Sequence, residues 1–222
     1  MAEPVVLAGV YAGKPARLPD GTLSAIVKTA AQGPVWLGPE GLVGDQVANR
    51  RVHGGPEQAL HHYPAEHYAR WAQRFPEIAE KLVPGSIGEN LSTRGLSEQN
   101  VHIGDVFAVG QVRIEVSQPR MPCGKIDARY GIEGLTEAVM TTGHAGWYYR
   151  VRQTGSFAAG DDFVRVERAS GSLSLAEFWA VQQAHRPSAE QLQGAARAPG
   201  LSPKWRLRFE QRLNWLLANG AA

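Results

Sequence analysis

Apolar and polar residues alternate in several short stretches of the chain. In residues 112–117, valine and isoleucine alternate with arginine, glutamate and serine, the two-residue period of a strand with one buried face. The apolar run 106–109 precedes it across a Gly-Gln turn, so residues 105–117 are predicted to form a hairpin. Two further strands are predicted at 147–151 and 163–166. Short strands between glycine-rich turns favour a barrel or sandwich over a parallel sheet.

Helical spacing interrupts this strand pattern twice. Pro64 suits a first helical position, and aromatic residues at helical spacing follow it, so a helix is predicted from about 64 to 75. A shorter helix is predicted from Leu135, ending before Gly143. The first part of the chain is therefore mainly β with helices.

The tail after residue 168 has a different pattern, which predicts three helices. Ser174 with Glu177, and Ser188 with Gln191, form capping boxes at two helix starts, and the second helix is predicted to end near Ala196. Ser202 followed by proline marks a third start. One apolar stripe is predicted along that helix, formed by Trp205, Phe209, Leu213, Leu216 and Leu217. We divide the chain into a β-barrel domain at 1–168 and a three-helix domain at 169–222; the second is small for independent stability, so we expect it to dock on the barrel.

Composition excludes several classes of protein. The chain has 222 residues, 43% of them hydrophobic and 20% charged, which is ordinary for a globular protein. Its longest uncharged apolar run, 5–13, is too short for a bilayer span of about 20 residues. The N-terminus lacks a basic segment and cleavage site, so we expect no signal peptide, no membrane partner and a cytoplasmic location. The net charge of +2 is weak evidence against a nucleic-acid partner.

The single cysteine, Cys123, lies in a loop shaped by two prolines and a glycine. Arg120 and Lys125 flank it, and nearby cations favour the thiolate, which ligates metals or attacks electrophiles. A free cysteine is more often a small buried hydrophobe, but this loop favours a functional role. One cysteine excludes an intramolecular disulfide and a multi-cysteine metal site.

A second group of candidate residues lies in the segment 50–63. Arg51, His53, Gly54 and a second glycine can form an anion pocket, because glycines let backbone N–H groups approach a ligand and arginine pairs with phosphate. The alternative is a solvated turn. Histidines at 61 and 62 with one cysteine match no zinc spacing that we can justify. Two further candidate segments are a glycine-rich turn at 85–91 and a lysine, Lys28, in an apolar stretch.

Taken together and in order, these segments resemble the MOSC domain family, named after the C-terminal domain of molybdenum cofactor sulfurase. The resemblance covers about residues 20–168, and the tail resembles the three-helix domain that follows the MOSC domain in some members. The segments that carry the resemblance are Ser24-Ala25-Ile26 with Lys28, Gly41 to Asp45, Val52 to Tyr63, Gly88 to Leu91, Gln118 to Cys123, and Gly146 to Val151.

The resemblance implies a MOSC-type β-barrel and a molybdenum–pyranopterin cofactor. It implies an oxidoreductase that reduces N-hydroxylated compounds, including hydroxylamino nucleobase analogues and amidoximes. The family's metal-ligating cysteine corresponds to Cys123. The positions that correspond to cofactor contacts are Lys28, Arg51, His53, Gly54, Asn90, Gln118 and Arg120. The candidates for a proton donor are Asp127, His61 and His144. Because no flavin or iron–sulfur motif is visible, we expect a separate reductase, or a flavin or ferredoxin-type protein, to supply electrons.

Two alternatives remain open from the sequence. The same loop could carry a persulfide on Cys123 in a sulfur carrier or cofactor-handling protein. The other alternative is a non-catalytic binding module whose three-helix tail docks a partner or nucleic acid through Lys204, Arg206, Arg208 and Arg212. Such charges usually form a solvated helix face, and the sequence does not determine the oligomeric state.

Overall fold

The computed structural model describes residues 3–50 and 53–219, which contain thirteen strands and six α-helices. The strands are β1 (Val5–Ala12), β2 (Ala16–Arg17), β3 (Leu23–Ser24), β4 (Thr29–Ala30), β5 (Val35–Gly38), β6 (Gly41–Leu42), β7 (Leu60–His62), β8 (Leu91–Thr93), β9 (Val106–Val109), β10 (Val112–Pro119), β11 (Trp147–Gln153), β12 (Gly155–Phe157) and β13 (Asp162–Glu167). The α-helices are α1 (Glu66–Arg74), α2 (Lys125–Tyr130), α3 (Leu135–Thr142), α4 (Leu175–Gln183), α5 (Ala189–Arg197) and α6 (Pro203–Asn219). Two 3₁₀ helices occupy Pro56–Gln58 and Pro76–Lys81.

Seven strands close into a mixed β-barrel, which confirms the predicted fold class. Their order is β13-β9-β10-β11-β7-β8-β1, and β1 pairs again with β13. The β7–β8 pair is parallel and the other six pairs of the ring are antiparallel. Two small additional sheets lie outside the ring. One contains β12, β5 and β6, and the other contains β2 and β3.

The predicted hairpin is present as β9 and β10, with Val112 opposite Val109. The predicted alternation of buried and exposed positions along β10 is wrong at Glu115 and Ser117, which are both buried. Glu115 forms an ion pair with Arg150 at 3.0 Å. The Ser117 hydroxyl donates a hydrogen bond to the Glu57 carbonyl at 2.6 Å. Both residues lie on the face of β10 opposite the core residues Ile114 and Val116. They are buried because the segments around Glu57 and Gly200 cover that face.

The helices predicted in the first part correspond to α1 and α3. Helix α2, which begins two residues after Cys123, was not predicted. Its six residues span fewer than two turns, too few to give a clear hydrophobic period. It ends at Gly131, whose φ of +67° lies in the left-handed region that favours glycine.

The three tail helices are confirmed, and both capping boxes form. The Ser174 and Ser188 hydroxyls each accept a hydrogen bond from the backbone N–H three residues on. The predicted stripe of α6 is right for Trp205 and Phe209, which are buried. Leu213 and Leu216 are partly buried against the core. The stripe is wrong for Leu217, which is 64% exposed.

Buried apolar side chains of the barrel and of the tail helices form one cluster. Ile114 and Val116 of β10 belong to it together with Phe178 of α4 and Trp205 of α6. A second cluster beneath α1, α2 and α3 includes Trp71 and Ile126. The tail helices therefore pack on the barrel, while the boundary at residue 168 stays a prediction.

Every helix in the described part of the chain is too short or too polar to cross a lipid bilayer.

Candidate functional site

A cavity of about 1000 Å³ lies where several separate segments of the chain meet. Its lining comes from residues within 23–28, 38–50, 53–59, 87–90 and 120–125, together with His61 and Tyr148. Seven of the site residues predicted from the sequence line it: Lys28, His53, Gly54, His61, Asn90, Arg120 and Cys123. The fold thus brings together residues separated by almost one hundred positions in the sequence.

Cys123 lies in the short connection between β10 and α2. Its carbonyl accepts hydrogen bonds from the Ile126 backbone N–H at 3.0 Å and from the Thr136 hydroxyl at 3.3 Å. These bonds fix the backbone at the cysteine. The side chain is half-buried and borders the cavity, so it is accessible to a ligand there.

Electrostatics at Cys123 favour the thiolate. Burial raises the pKa of the Cys123 thiol. A hydrogen bond from His53, the charge of Arg120 and the Lys125 backbone N–H outweigh burial and bring that pKa down to about 7. A large fraction of the side chain is then thiolate at neutral pH, the form that binds metals and reacts with electrophiles.

Two glycines shape the loop that carries His53. Gly54 and Gly55 have φ values of +83° and +82°, in the left-handed region that favours glycine. The Gly54 N–H donates to the side-chain oxygen of Gln58 at 3.2 Å, so this amide is already used within the loop. The fold brings His53 into contact with the cysteine, which the sequence did not predict. The Gly54 amide would have to exchange its partner to bind an anion.

Lys28 is held by an acid that the sequence analysis did not single out. Its ammonium lies 2.5 Å from both carboxylate oxygens of Asp45, and both side chains are largely buried. Asp45 also accepts hydrogen bonds from the Gly13 N–H and the Asn90 side-chain amide, both at 2.8 Å. Burial lowers the pKa of Lys28, and the carboxylate of Asp45 opposes that shift. Lys28 therefore reaches the cavity as part of an ion pair.

Asn90 connects this ion pair to the histidine on the cavity wall. Its amide nitrogen donates to Asp45 and to the Tyr11 carbonyl, the latter at 3.1 Å. Its side-chain oxygen accepts a hydrogen bond from the His61 backbone N–H at 3.0 Å. Because both amide protons are used, Asn90 acts here as a support for its neighbours.

Arg120 brings an incompletely satisfied charge to the cavity. The residue is 6% exposed, and one guanidinium nitrogen, Nη2, donates to the Ile87 carbonyl at 3.3 Å. The other, Nη1, is buried and has no hydrogen-bond partner in residues 3–50 and 53–219. A buried charged donor without a partner is costly, which makes it a strong site for an anion.

Tyr148 lies beside the cysteine and Arg120 and was missed by sequence reasoning. Burial raises the pKa of its hydroxyl and a negative charge on Cys123 adds to that shift, whereas the charge of Arg120 and a hydrogen bond with its side chain oppose it. The phenol therefore keeps its proton at neutral pH and can donate a hydrogen bond into the cavity.

His61 is buried in the cavity wall and stays neutral at physiological pH. Burial lowers the pKa of its imidazole far below 6.5, and the Arg120 charge lowers it further. The ring lies 5.3 Å from the ring of Tyr148. A neutral imidazole can orient a ligand by hydrogen bonding, but it carries no readily released extra proton.

The structure places three candidate residues outside the cavity lining. The Asp127 carboxylate accepts hydrogen bonds from the backbone N–H groups of Gly134 and Thr136, so it supports the start of α3. Nδ1 of His144 lies 3.1 Å from a guanidinium nitrogen of Arg70 on α1. Gln118 is buried in β10. Arg51, the remaining candidate, lies outside the described residues.

Asp45 and Tyr148 lie in segments that carry the family resemblance, but the sequence assigned no role to either residue. Asp45 directly follows a glycine, a pair that is typical of turns, and nothing in the sequence links it to Lys28, seventeen positions earlier. Tyr148 belongs to an aromatic run that is typical of a buried strand. In the described residues, no three His, Cys, Asp or Glu side chains are grouped as a metal site. A metal at Cys123 would therefore need most of its ligands from elsewhere.

Comparisons with known proteins give a consistent family relationship. The profile of the MOSC domain matches residues 49–164. The chain is 42% identical to Protein YiiM of Escherichia coli (strain K12) over 204 residues, which cover 91% of this chain and 90% of that protein. It is also 36% identical over 203 residues to a protein named Reductase from Gibberella moniliformis (strain M3125 / FGSC 7600), covering 89% of this chain but 36% of that longer protein.

Solved structures agree with this relationship. The crystal structure of YiiM from Escherichia coli superposes with a TM-score of 0.80 at 34% identity and covers 96% of this chain and 94% of the other. The crystal structure of YiiM from Geobacillus stearothermophilus gives a TM-score of 0.79 at 32% identity, with 95% and 100% of the two chains covered. The similarity extends through the tail helices as well as the barrel.

Proposed function

This chain belongs to the MOSC domain family, and on that premise we propose that it binds a molybdenum–pyranopterin cofactor in the cavity and reduces N-hydroxylated compounds with it. The observation that carries the proposal is the pairing, on one cavity wall, of a cysteine with a pKa of about 7 and a buried arginine nitrogen without a partner in the described chain. A soft donor and an anion site are what such a cofactor requires.

The residues present fit the metal end of the cofactor. A thiolate is a suitable soft ligand, and Cys123 supplies it at neutral pH. One protein ligand is enough when the pterin brings its own sulfur ligands. The cavity volume of about 1000 Å³ is at the upper end of the range for small-molecule sites, which leaves room for a substrate beside the cofactor.

The residues also fit the phosphate end of the cofactor, and they contribute to it unequally. We assign the main phosphate contact to Arg120, because its Nη1 has no partner in the described chain. Lys28 contributes less net charge because Asp45 neutralises it, although an ammonium has three donors and can share one. Arg51, His53 and Gly54 stay candidate contacts from the family resemblance.

The proposed reaction converts a hydroxylamine to an amine: R–NHOH, two electrons and two protons give R–NH₂ and water. When bound, the molybdenum centre would supply the two-electron chemistry that cleaves the N–O bond. His61, as a neutral imidazole, and Tyr148, as a protonated phenol, orient the N–OH group by hydrogen bonding. Neither is an efficient acid at pH 7, so we propose that water delivers the two protons.

We further propose that electrons come from a separate reductase or a flavin or ferredoxin-type protein. The Gibberella relative supports this division, because it is named a reductase and 64% of its length lies outside the match to this chain.

Elemental analysis of molybdenum tests the proposal in wild-type protein and Cys123→Ser, both purified from a host that makes the cofactor. The same samples are assayed for reduction of a hydroxylamine compound with an artificial electron donor. We expect near-stoichiometric metal and activity in wild type, and loss of activity in the variant. A serine hydroxyl is nearly isosteric with the thiol but is not ionised at pH 7.

Three outcomes separate the alternatives. Pterin retained in Cys123→Ser would indicate that the anion pocket holds the cofactor without the thiolate. Wild-type protein without molybdenum and without activity would overturn the reductase proposal. Protein-bound sulfane sulfur that disappears in Cys123→Ser would then favour the persulfide carrier.

A further inference from the structure

Glu98 is a buried carboxylate outside the cavity lining, and both of its oxygens are engaged. It lies in the connection between β8 and β9 and is 1% exposed. Oε2 lies 2.9 Å from Nε2 of His67 on α1. Oε1 accepts a hydrogen bond from the Gly146 backbone N–H at 2.9 Å. This carboxylate therefore joins α1 to the turn that precedes β11.

The peptide unit between Ala145 and Gly146 transmits this contact to the cavity wall. The N–H and C=O of a trans peptide point in opposite directions, so a bond at one end fixes the direction of the other. The N–H is held by Glu98. The C=O, that of Ala145, lies 3.4 Å from Nε2 of His61. The next carbonyl, that of Gly146, accepts a hydrogen bond from the Arg120 backbone N–H at 3.0 Å.

The turn has little room for any other arrangement. Gly146 has φ of +72°, and a Cβ atom there would lie 2.1 Å from the His62 carbonyl oxygen. Glycine is therefore required by both conformation and space. The 145–146 peptide has little freedom, and its N–H is bonded to the Glu98 carboxylate. Loss of that carboxylate should therefore change the orientation of this peptide.

We infer that Glu98 is a positioning residue for the cavity: by holding the Gly146 N–H it aims the Ala145 carbonyl at His61 and fixes the imidazole as the Nε2–H tautomer. His67 orients Glu98 through its second oxygen. The Ala145 carbonyl faces Nε2 and favours a proton on that nitrogen, and the backbone of Gly88 is a second hydrogen-bond partner of the ring. The inference rests on the proposed function only for the part that His61 takes in the reaction.

Nuclear magnetic resonance of ¹⁵N-histidine-labelled, cofactor-free protein tests the tautomer directly. His61→Gln identifies the signal of that ring. We expect His61 as the Nε2–H tautomer in wild type and in Glu98→Gln, whose side-chain oxygen can still accept from Gly146. We expect a shift toward mixed tautomers in Glu98→Ala. A wild-type His61 protonated on Nδ1, or a His61 signal identical in wild type and Glu98→Ala, would overturn the inference.

Asp105→Asn is the control for general destabilisation of the fold. Asp105 is also a fully buried carboxylate, but its partners are Arg168 and the His102 N–H, and it has no contact with the 145–146 peptide. We expect it to leave the His61 signal unchanged. The same tautomer shift in this control would mean general destabilisation and would overturn the inference. The wild-type tautomer is measured without any change at Glu98, with His61→Gln used only for assignment, so the test stands even if Glu98→Ala does not fold.

Activity of the cofactor-loaded enzyme is the second readout. We expect kcat to fall about 10-fold to 100-fold in Glu98→Ala, as for other residues that orient ligands, and to recover in Glu98→Gln. A tautomer shift without any change in activity would support Glu98 as the positioning residue for the ring and would contradict the role of His61 in the reaction. Inactive wild-type protein with the expected tautomers would contradict the proposed function alone.

Discussion

At the scale of single residues, the chemistry of the site depends on how three neighbours counteract the burial of Cys123. Burial alone would hold the thiol protonated at neutral pH. His53, Arg120 and the Lys125 N–H reverse that tendency and bring the pKa of the thiol from its ordinary 9.0 to about 7. The cysteine and its flanking cations were predictable from sequence, because they are adjacent in the chain. The contact with His53 was not, because it depends on the fold.

The pH dependence of cysteine alkylation tests this environment. In cofactor-free protein, the rate of reaction of Cys123 with iodoacetamide should rise with pH and reach half its maximum near pH 7, because only the thiolate reacts. In His53→Ala the midpoint should move upward, since a contact that lowers the pKa is lost while burial remains. The measurement is the alkylation rate by mass spectrometry from pH 5 to 10.

His144→Ala is the control, because this histidine lies outside the cavity lining and has no part in the pKa shift of Cys123. Its midpoint should equal that of wild type. A midpoint that stays near 7 in His53→Ala would contradict the assigned role of His53.

At the scale of secondary-structure elements, Arg150 of β11 joins the tail helices to the loop that carries His53. Its guanidinium contacts the Glu57 carboxylate at 2.5 Å, Glu115 of β10 at 3.0 Å and the Gly200 carbonyl, between α5 and α6, at 2.8 Å. Glu57 lies in the 3₁₀ helix that directly follows Gly54 and Gly55. The tail is thereby coupled to one wall of the cavity.

Arg150→Met should therefore disturb two distant segments at once. We expect faster backbone hydrogen exchange both at 53–58 and at 199–202, and a loss of about 2 kcal/mol in the free energy of unfolding, because charged groups lose hydrogen bonds. Exchange mass spectrometry and urea denaturation measure the two effects.

Arg152→Met provides the comparison. Arg152 contacts the same Glu115 at 3.1 Å, but its side chain is 58% exposed. Its removal should cost about 0–1 kcal/mol and leave exchange at 53–58 unchanged. Equal effects of the two variants would contradict the coupling through Arg150.

At the scale of the whole molecule, the charge distribution does not favour a nucleic-acid surface on the tail. Two of the four basic side chains considered there are engaged by the chain itself. Arg212 donates to the carbonyls of Val181, Gln182 and Ala184 at the end of α4. The Arg208 guanidinium lies over the Trp205 ring, 4.8 Å from its centre. Both residues therefore take part in the packing of α6, while Lys204 and Arg206 are exposed.

We predict that the purified protein does not bind a double-stranded DNA fragment detectably at 150 mM salt. The small net charge of +2 gives weak attraction to the phosphate backbone. Fluorescence anisotropy with a labelled duplex, repeated at 50 mM salt, is the measurement. Tight binding that falls steeply with salt would contradict the prediction and restore the nucleic-acid alternative.

The sequence by itself determined the elements with a clear period or local signal, and the ordered motifs of the family. The β9–β10 hairpin, α1, α3 and both capping boxes depend on residues that are close in the chain, so local physics predicts them. Helix α2 was not predicted because its six residues are too few to show a helical period of hydrophobic positions. The burial of Glu115 was not predicted because it depends on Arg150 from another strand and on the segment around Gly200, which cover the outer face of β10.

Only the tertiary structure decided which candidate residues share the cavity. It joined Lys28 to Asp45 and Asn90, placed His53 against Cys123, added Tyr148, and gave Asp127 a place at the start of α3. Each of these contacts joins residues from different segments of the chain. Their charge states depend on burial and on such partners, which no local pattern of hydrophobic and polar residues encodes.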